Sequence, residues 1–188
     1  MRIAIDIDST LHHYWDRLSA AARRRFGIEL PYEEQLDWGI TRLRPDQLHL
    51  CIKETHGAAA ILAGEPYPHA VETVRRWADA GHGIYITSHR DPECYEPTAR
   101  WLQQIGLPFH DLYCAHDKVG HCLHVGAELL VDDSPENLVR ALEHGLIGAT
   151  ISHPWNRDLC EEEDVICAAD WRELGGKLDL VLGRRANV

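Results

Sequence analysis

The stretch Met1-Arg2-Ile3-Ala4-Ile5-Asp6-Ile7-Asp8-Ser9-Thr10 decides the fold. Its first five residues form a short apolar run, the pattern of a buried strand. Two carboxylates, two residues apart, follow where that strand ends and a loop begins. In an open α/β sheet the crevice beyond the carboxyl ends of the strands is where ligands bind. Acids placed there repel each other and need a partner. A divalent cation is one such partner: Mg²⁺ takes one or two carboxylates plus waters and phosphate oxygens, and an aspartate beside it can attack phosphorus. The same short motif also serves as a turn or a helix cap, so its chemistry depends on what else reaches that edge.

Three other strand ends supply candidates. Gly83 to Ser88 reads as a strand whose end carries Thr87 and Ser88, hydroxyls that suit either a phosphoryl oxygen or a turn. Phe109 to Cys114 reads as a third strand, followed by His116-Asp117-Lys118; a lysine at the start of a helical stretch can reach a phosphate as a point charge. Ala127 to Val131 is a fourth, ending in Asp132-Asp133-Ser134-Pro135. Pro135 suits the first turn of a helix over 136–144 and Ser134 its cap, which leaves at least one acid unexplained by capping. Further strands are expected at 148–152 and 165–167, and helices over 11–26, 68–81, 93–105 and 170–182. Residues 153–157 read as a loop. This alternation predicts an α/β, Rossmann-like parallel sheet with helices on both faces. Parallel strands share their carboxyl ends, so Asp6, Asp8, Thr87, Ser88, Lys118, Asp132 and Asp133 are expected on one rim.

Between the first and second strands, Ile28 to Gly64 offers short helical pieces broken by Pro31, Gly39, Pro45 and Gly57. Residues 15–64 therefore read as a small helical cap inserted after the first strand, with 1–14 and 65–188 forming the core domain. Tyr14, Trp15, Tyr32 and Trp38 lie in or beside it; an aromatic face could stack a base or simply fill the insertion's own core.

Composition sets outer limits. A chain of 188 residues holds one well-buried core and little more. The formal net charge of -11 argues against a nucleic-acid polymer or an anionic membrane as partner, although a small anion can be held by a few local cations and a metal. No apolar run approaches the roughly 20 residues that span a bilayer. Six cysteines without a C-x-x-C pair, and no signal peptide, suggest a reduced, cytoplasmic protein. The His and Cys residues between His110 and Cys122 fit no common closed zinc site.

As an ordered set, Asp6-Ile7-Asp8-Ser9-Thr10, Thr87-Ser88, Lys118 and Asp132-Asp133 resemble the four motifs of the haloacid dehalogenase superfamily of phosphohydrolases. Pro66-Tyr67-Pro68-His69-Ala70-Val71, Val131-Asp132-Asp133-Ser134-Pro135, His153-Pro154-Trp155-Asn156-Arg157 and Ala169-Asp170-Trp171 look like the 5′(3′)-deoxyribonucleotidase family within it, whose small cap the helical insertion also resembles. The resemblance implies a Mg²⁺-dependent phosphomonoesterase of nucleoside monophosphates, in which Asp6 is the nucleophile and Asp8 the acid and then the base. It implies that Thr87 and Lys118, with Ser88, hold the phosphoryl oxygens, and that Asp6, Asp133 and the backbone carbonyl of Asp8 hold the metal, with Asp132 orienting that shell. Thr10, Arg90, Trp15 and Trp38 are expected at the substrate. Two departures stand out. Ser9 occupies the place of the usual glycine, and Ser134 that of an arginine, whose contact is then either missing or supplied by Arg90. A sugar-phosphate phosphatase and a non-catalytic metal-binding module stay open as alternatives. The expected partner is a small phosphorylated molecule, and a homodimer is left open.

Overall fold

The computed structural model describes residues 1–37, 39–161 and 164–185. Six strands, β1 (Arg2–Asp6), β2 (Gly83–Ser88), β3 (Asp111–Cys114), β4 (Leu129–Val131), β5 (Ile147–Ile151) and β6 (Val165–Ala168), form one sheet in the order β3-β2-β1-β4-β5-β6. Every neighbouring pair is parallel. The order reverses between β1 and β4, so the crevice characteristic of such sheets opens where β1 ends in Asp6 and β4 runs into Asp132. Pairing places Asp6 opposite Thr87 and Ile5 opposite Val131.

Both faces of the sheet are covered, which is why β1 can be apolar at consecutive positions. Ile3 and Ile5 belong to the larger core, with Val74 and Trp77 of α4 (Ala70–Asp79), Trp101 and Leu102 of α5 (Tyr95–Gln104), and Trp171, Leu174 and Leu178 of α9 (Trp171–Arg185). Ala4 points the other way, into a cluster with Val119 and Cys122 of α6 (Lys118–His124) and Ala141 of α7 (Pro135–Glu143). The Trp77 indole N–H donates to Asp179 at 2.8 Å, which ties α4 to α9. Helix α7 starts as its sequence implies, with Pro135 in the first turn and the Ser134 hydroxyl accepting from the Asn137 amide.

Between β1 and β2 the chain forms α1 (Tyr14–Phe26), a 3₁₀ turn at Tyr32–Glu34, α2 (Pro45–Thr55) and α3 (Ala58–Leu62). Gly27 ends α1 with φ +66°, a left-handed conformation that glycine adopts without cost. Trp15, Leu18, Ala21, Ala22, Leu30, Leu43 and Cys51 make a separate apolar cluster here, and Trp155 from beyond β5 completes it.

Three expectations change. Helix α1 begins at Tyr14 rather than Leu11, because the Ile7 carbonyl accepts from the amides of Thr10, Leu11 and His12 and so turns the chain sharply first. Residues 153–160 are not a plain loop: a 3₁₀ turn at Pro154–Asn156 leads into the short α8 (Arg157–Cys160), with the Asn156 side chain accepting from the His153 amide. The cysteines are not all reduced. Cys160 and Cys167 form a disulfide, joining the end of α8 to β6, while Cys51, Cys94, Cys114 and Cys122 are free thiols. Two cysteines seven residues apart were brought together by a chain reversal that spacing alone does not announce. No helix among the described residues is long and apolar enough to cross a membrane.

Candidate active site

Four strand ends meet at one place. Asp6 closes β1, and its Oδ1 accepts from Lys118 Nζ at 2.7 Å, while its Oδ2 accepts from the Thr10 hydroxyl at 3.3 Å. Lys118, at the first position of α6, also pairs with Asp132 Oδ2 at 2.8 Å. Asp132 is fully engaged: its Oδ1 accepts from the Ser134 amide at 2.9 Å, and the Asn137 side-chain amide reaches both of its oxygens at 3.2 Å. Asp133 is held differently, with its Oδ2 accepting from the Trp155 indole N–H at 3.1 Å. All of these groups are buried.

Asp6, Asp132 and Asp133 each offer a carboxylate oxygen within 4.8 Å of the others, the one such cluster among the described residues. Three buried carboxylates gathered around a single ammonium leave negative charge uncompensated. Burial, together with the fields of Asp132 and Asp8, pushes Asp6 up to about 7 against the pull of Lys118. Burial and the acids Asp6 and Asp132 likewise raise Asp133 well above the ordinary carboxylate range. Lys118 goes the other way: burial opposes its charge, but Asp132 and Asp6 outweigh burial and hold the ammonium. This hard-oxygen donor set fits a divalent cation, which would neutralise the excess charge.

Thr87, opposite Asp6 in the sheet, is fully buried, and its hydroxyl has no partner, an orphaned donor at the edge where an anion would sit. Ser88 is equally buried, but its hydroxyl accepts from the Arg90 amide at 3.2 Å, so it shapes the loop after β2.

Asp8 stands apart from the carboxylate cluster. Arg90 grips it with two bonds, Nε to Oδ2 at 3.0 Å and Nη2 to Oδ1 at 2.7 Å. His12 Nε2 approaches at 2.9 Å and His56 Nε2 at 3.5 Å. Burial alone would raise Asp8, yet Arg90, His12 and His56 hold it well below the usual carboxylate range. Asp8 faces a cavity of about 610 Å³, whose wall also includes Tyr14, Trp15, Ile52, His56 and Trp155. The cavity thus lies between the inserted helices and the strand ends.

The structure brings Asp6, Thr87, Lys118, Asp132 and Asp133 together as the sequence pattern implies, and it puts Trp15 on the cavity wall. Thr10 and Arg90 are both turned to carboxylates of the site: Thr10 donates to Asp6, and Arg90 to Asp8. The side chain of Asp8 is not in the metal-type cluster. Trp38 lies outside the described residues. Sequence reading gave no role to His12, His56, Asn137 or Trp155. Asn137 and His12 each follow an acid of the site within one helical turn or so, a legible signal; Trp155 lies in the 153–157 stretch that carries the family resemblance, though nothing there gave it a role, and His56 arrives from a distant segment with no signal.

A family model described as 5′ nucleotidase, deoxy (pyrimidine), cytosolic type C protein matches residues 1–185. A putative 5′(3′)-deoxyribonucleotidase from Chlorobaculum tepidum is 28% identical over 185 residues, covering 92% of this chain and 87% of that one. Among solved structures, a putative beta-phosphoglucomutase from Thermotoga maritima superimposes with a TM-score of 0.67 at 14% identity, over 96% of this chain and 99% of the other. A D,D-heptose 1,7-bisphosphate phosphatase from B. bronchiseptica, complexed with magnesium and phosphate, does so with a TM-score of 0.54 at 12% identity, over 94% and 97%. At such identities the two structures support the fold alone. The match over nearly the whole length of the chain settles the family: this protein belongs to the cytosolic type C 5′ nucleotidases, within the haloacid dehalogenase superfamily.

Proposed function

We propose that this phosphoric monoester hydrolase is a Mg²⁺-dependent nucleotidase that cleaves nucleoside monophosphates through an aspartyl-phosphate on Asp6. The observation that carries the reading is the buried set of Asp6, Asp132 and Asp133 around Lys118, at the reversal point of the sheet and below an apolar cavity. Asp6, Asp133 and the backbone carbonyl of Asp8 would hold the cation, with Asp132 orienting Lys118. When bound, the cation supplies charge neutralisation at the phosphoryl oxygens.

The residues divide the work. Asp6 attacks phosphorus, forming a carboxyl O–P bond as the bond to the leaving oxygen breaks, and Asp8, which takes up a proton as the phosphate's negative charge enters beside it, delivers that proton to the leaving oxygen. Water then attacks the acyl phosphate, giving its proton to Asp8 and releasing phosphate and free Asp6. The unpartnered Thr87 hydroxyl and the Lys118 ammonium would meet the developing negative charge on the phosphoryl oxygens. The inserted helices, residues 15–64, act as the cap, and residues 1–14 and 65–188 as the catalytic core. The apolar part of the cavity wall, including Trp15 and Trp155, suits a nucleoside better than a bare sugar.

The test is phosphate release across nucleoside monophosphates and sugar phosphates, with Mg²⁺ and with EDTA. Nucleotides should give the higher kcat/KM, because base contacts strengthen transition-state binding, and Asp6→Asn should abolish turnover. Equal or better kcat/KM on sugar phosphates would replace the substrate reading. Failure to release phosphate from any phosphomonoester, and to trap beryllofluoride on Asp6, would leave a metal-binding module instead.

A further inference from the structure

Arg90 is the one arginine buried at this site, and each of its side-chain donor groups is committed. Nε and Nη2 take the two oxygens of Asp8, and Nη1 donates to the hydroxyl of Thr98 on α5 at 3.1 Å. Its backbone amide donates to Ser88. Its guanidinium is thus spent inside the protein, on both oxygens of the carboxylate that the mechanism assigns to proton transfer and on the Thr98 hydroxyl behind it.

We propose that Arg90, braced by Thr98, is a positioning residue that fixes the carboxylate of Asp8 at the proton-transfer position, and that it does not bind the substrate phosphate. The inference rests on the acid-base reading of Asp8 given above. Asp8 gives up a proton in one half-reaction and receives one in the next, so its oxygen must stay within hydrogen-bond reach of the same spot through both. A free aspartate rotates about two bonds and would lose that spot. The planar, two-pronged guanidinium removes both rotations, which a lysine in its place could not do.

Leaving groups separate this role from a general structural one. p-Nitrophenolate departs without a proton, whereas a nucleoside alkoxide needs one. In rapid-quench first-turnover experiments, Arg90→Met should slow cleavage of a nucleoside 5′-monophosphate by about a hundredfold, the scale of one general acid. The p-nitrophenol burst from p-nitrophenyl phosphate should fall less than about threefold, followed by a steady state slowed by the loss of base catalysis. Arg90→Lys should recover only part of the nucleotide rate. Equal losses on both substrates would overturn the proposal, as would a rise in KM on both with kcat unchanged, the mark of a phosphate ligand. Should Arg90→Met fail to fold, Thr98→Val loosens the brace alone. It should shift the ratio of the two first-turnover rates several-fold in the same direction, and an unchanged ratio would equally overturn the proposal. A wild-type protein that gives no burst and no trapped Asp6 adduct would instead remove the underlying mechanism, a result distinct from equal losses with the burst intact.

Discussion

Replacing Asp133 with asparagine should stabilise the metal-free protein while removing its response to metal. Asp133 shares a site with Asp6 and Asp132, the three oxygens lying within 4.8 Å of one another. Two unit charges at that distance interact by about 3.5 kcal/mol at an effective dielectric constant of about 20. Two such repulsions act on Asp133, and the single ammonium of Lys118 offsets part of them. The net relief on neutralising Asp133 is about 1 to 3 kcal/mol. Little is lost in exchange, because an asparagine oxygen still accepts the Trp155 indole bond. For a chain of this length that is a rise in Tm of about 2 to 12 °C in EDTA at pH 8. Sign and pH follow together: a carboxyl raised in the folded state above its ordinary 3.8 makes the wild type lose stability as pH climbs, so the advantage of the variant should grow upward from about pH 4. Wild type in Mg²⁺ at about 100 times its dissociation constant should gain about 2.7 kcal/mol, or about 5 to 11 °C. Calorimetry on both proteins, with EDTA and with Mg²⁺, measures all four states. A variant that melts lower than wild type in EDTA, or that keeps the full Mg²⁺ shift, would refute the charge accounting.

Lys118→Met removes the only cation from a buried pair with Asp6 and Asp132, and should cost about 3 to 5 kcal/mol in urea unfolding; a loss under 1 kcal/mol would mean that the acids are not ionised there. Ser9 holds φ at +63°, where a side chain is strained by about 1 kcal/mol or more, so Ser9→Gly should be neutral or stabilising by up to about 1 kcal/mol despite the added freedom of the unfolded chain. A clear destabilisation would show that the Ser9 side chain is needed. His153 is buried and pushed down to about 4 from 6.5, its Nε2–H donating to the Ser9 carbonyl and its Nδ1 accepting from the Tyr32 hydroxyl. Its contribution is complete above pH 6.5 and lost as pH falls toward 4. The stability gap between wild type and His153→Gln should therefore shrink by about 3 kcal/mol over that interval, and a constant gap would contradict the neutral ring.

Most of the sheet was legible because its signals are local. An apolar run of the right length predicts a buried strand, and Pro135 behind Ser134 predicts a helix start, without reference to anything distant. The convergence of Asp6, Thr87, Lys118 and Asp133 was legible for a topological reason, since parallel strands leave little choice about where their carboxyl ends go. What a sequence does not carry is orientation. Arg90 sits two residues beyond Ser88, at a position whose side chain could turn to the cavity or away. Only the buried carboxylate of Asp8 and the Thr98 hydroxyl decide it. The same holds for Thr10, claimed by Asp6, and for Cys160 and Cys167, joined by a reversal around residues that carry no pairing signal.

Trp155 has a double allegiance. Its indole N–H is spent on Asp133, while its ring sits 5.6 Å from that of Trp15 in the apolar heart of the inserted helices. Redesigning the inserted helices is therefore not a modular operation in this protein. Any repacking that moves the indole will tug on a carboxylate of the buried acidic cluster, so a swapped insertion should be judged by the protein's cation affinity as well as by its stability.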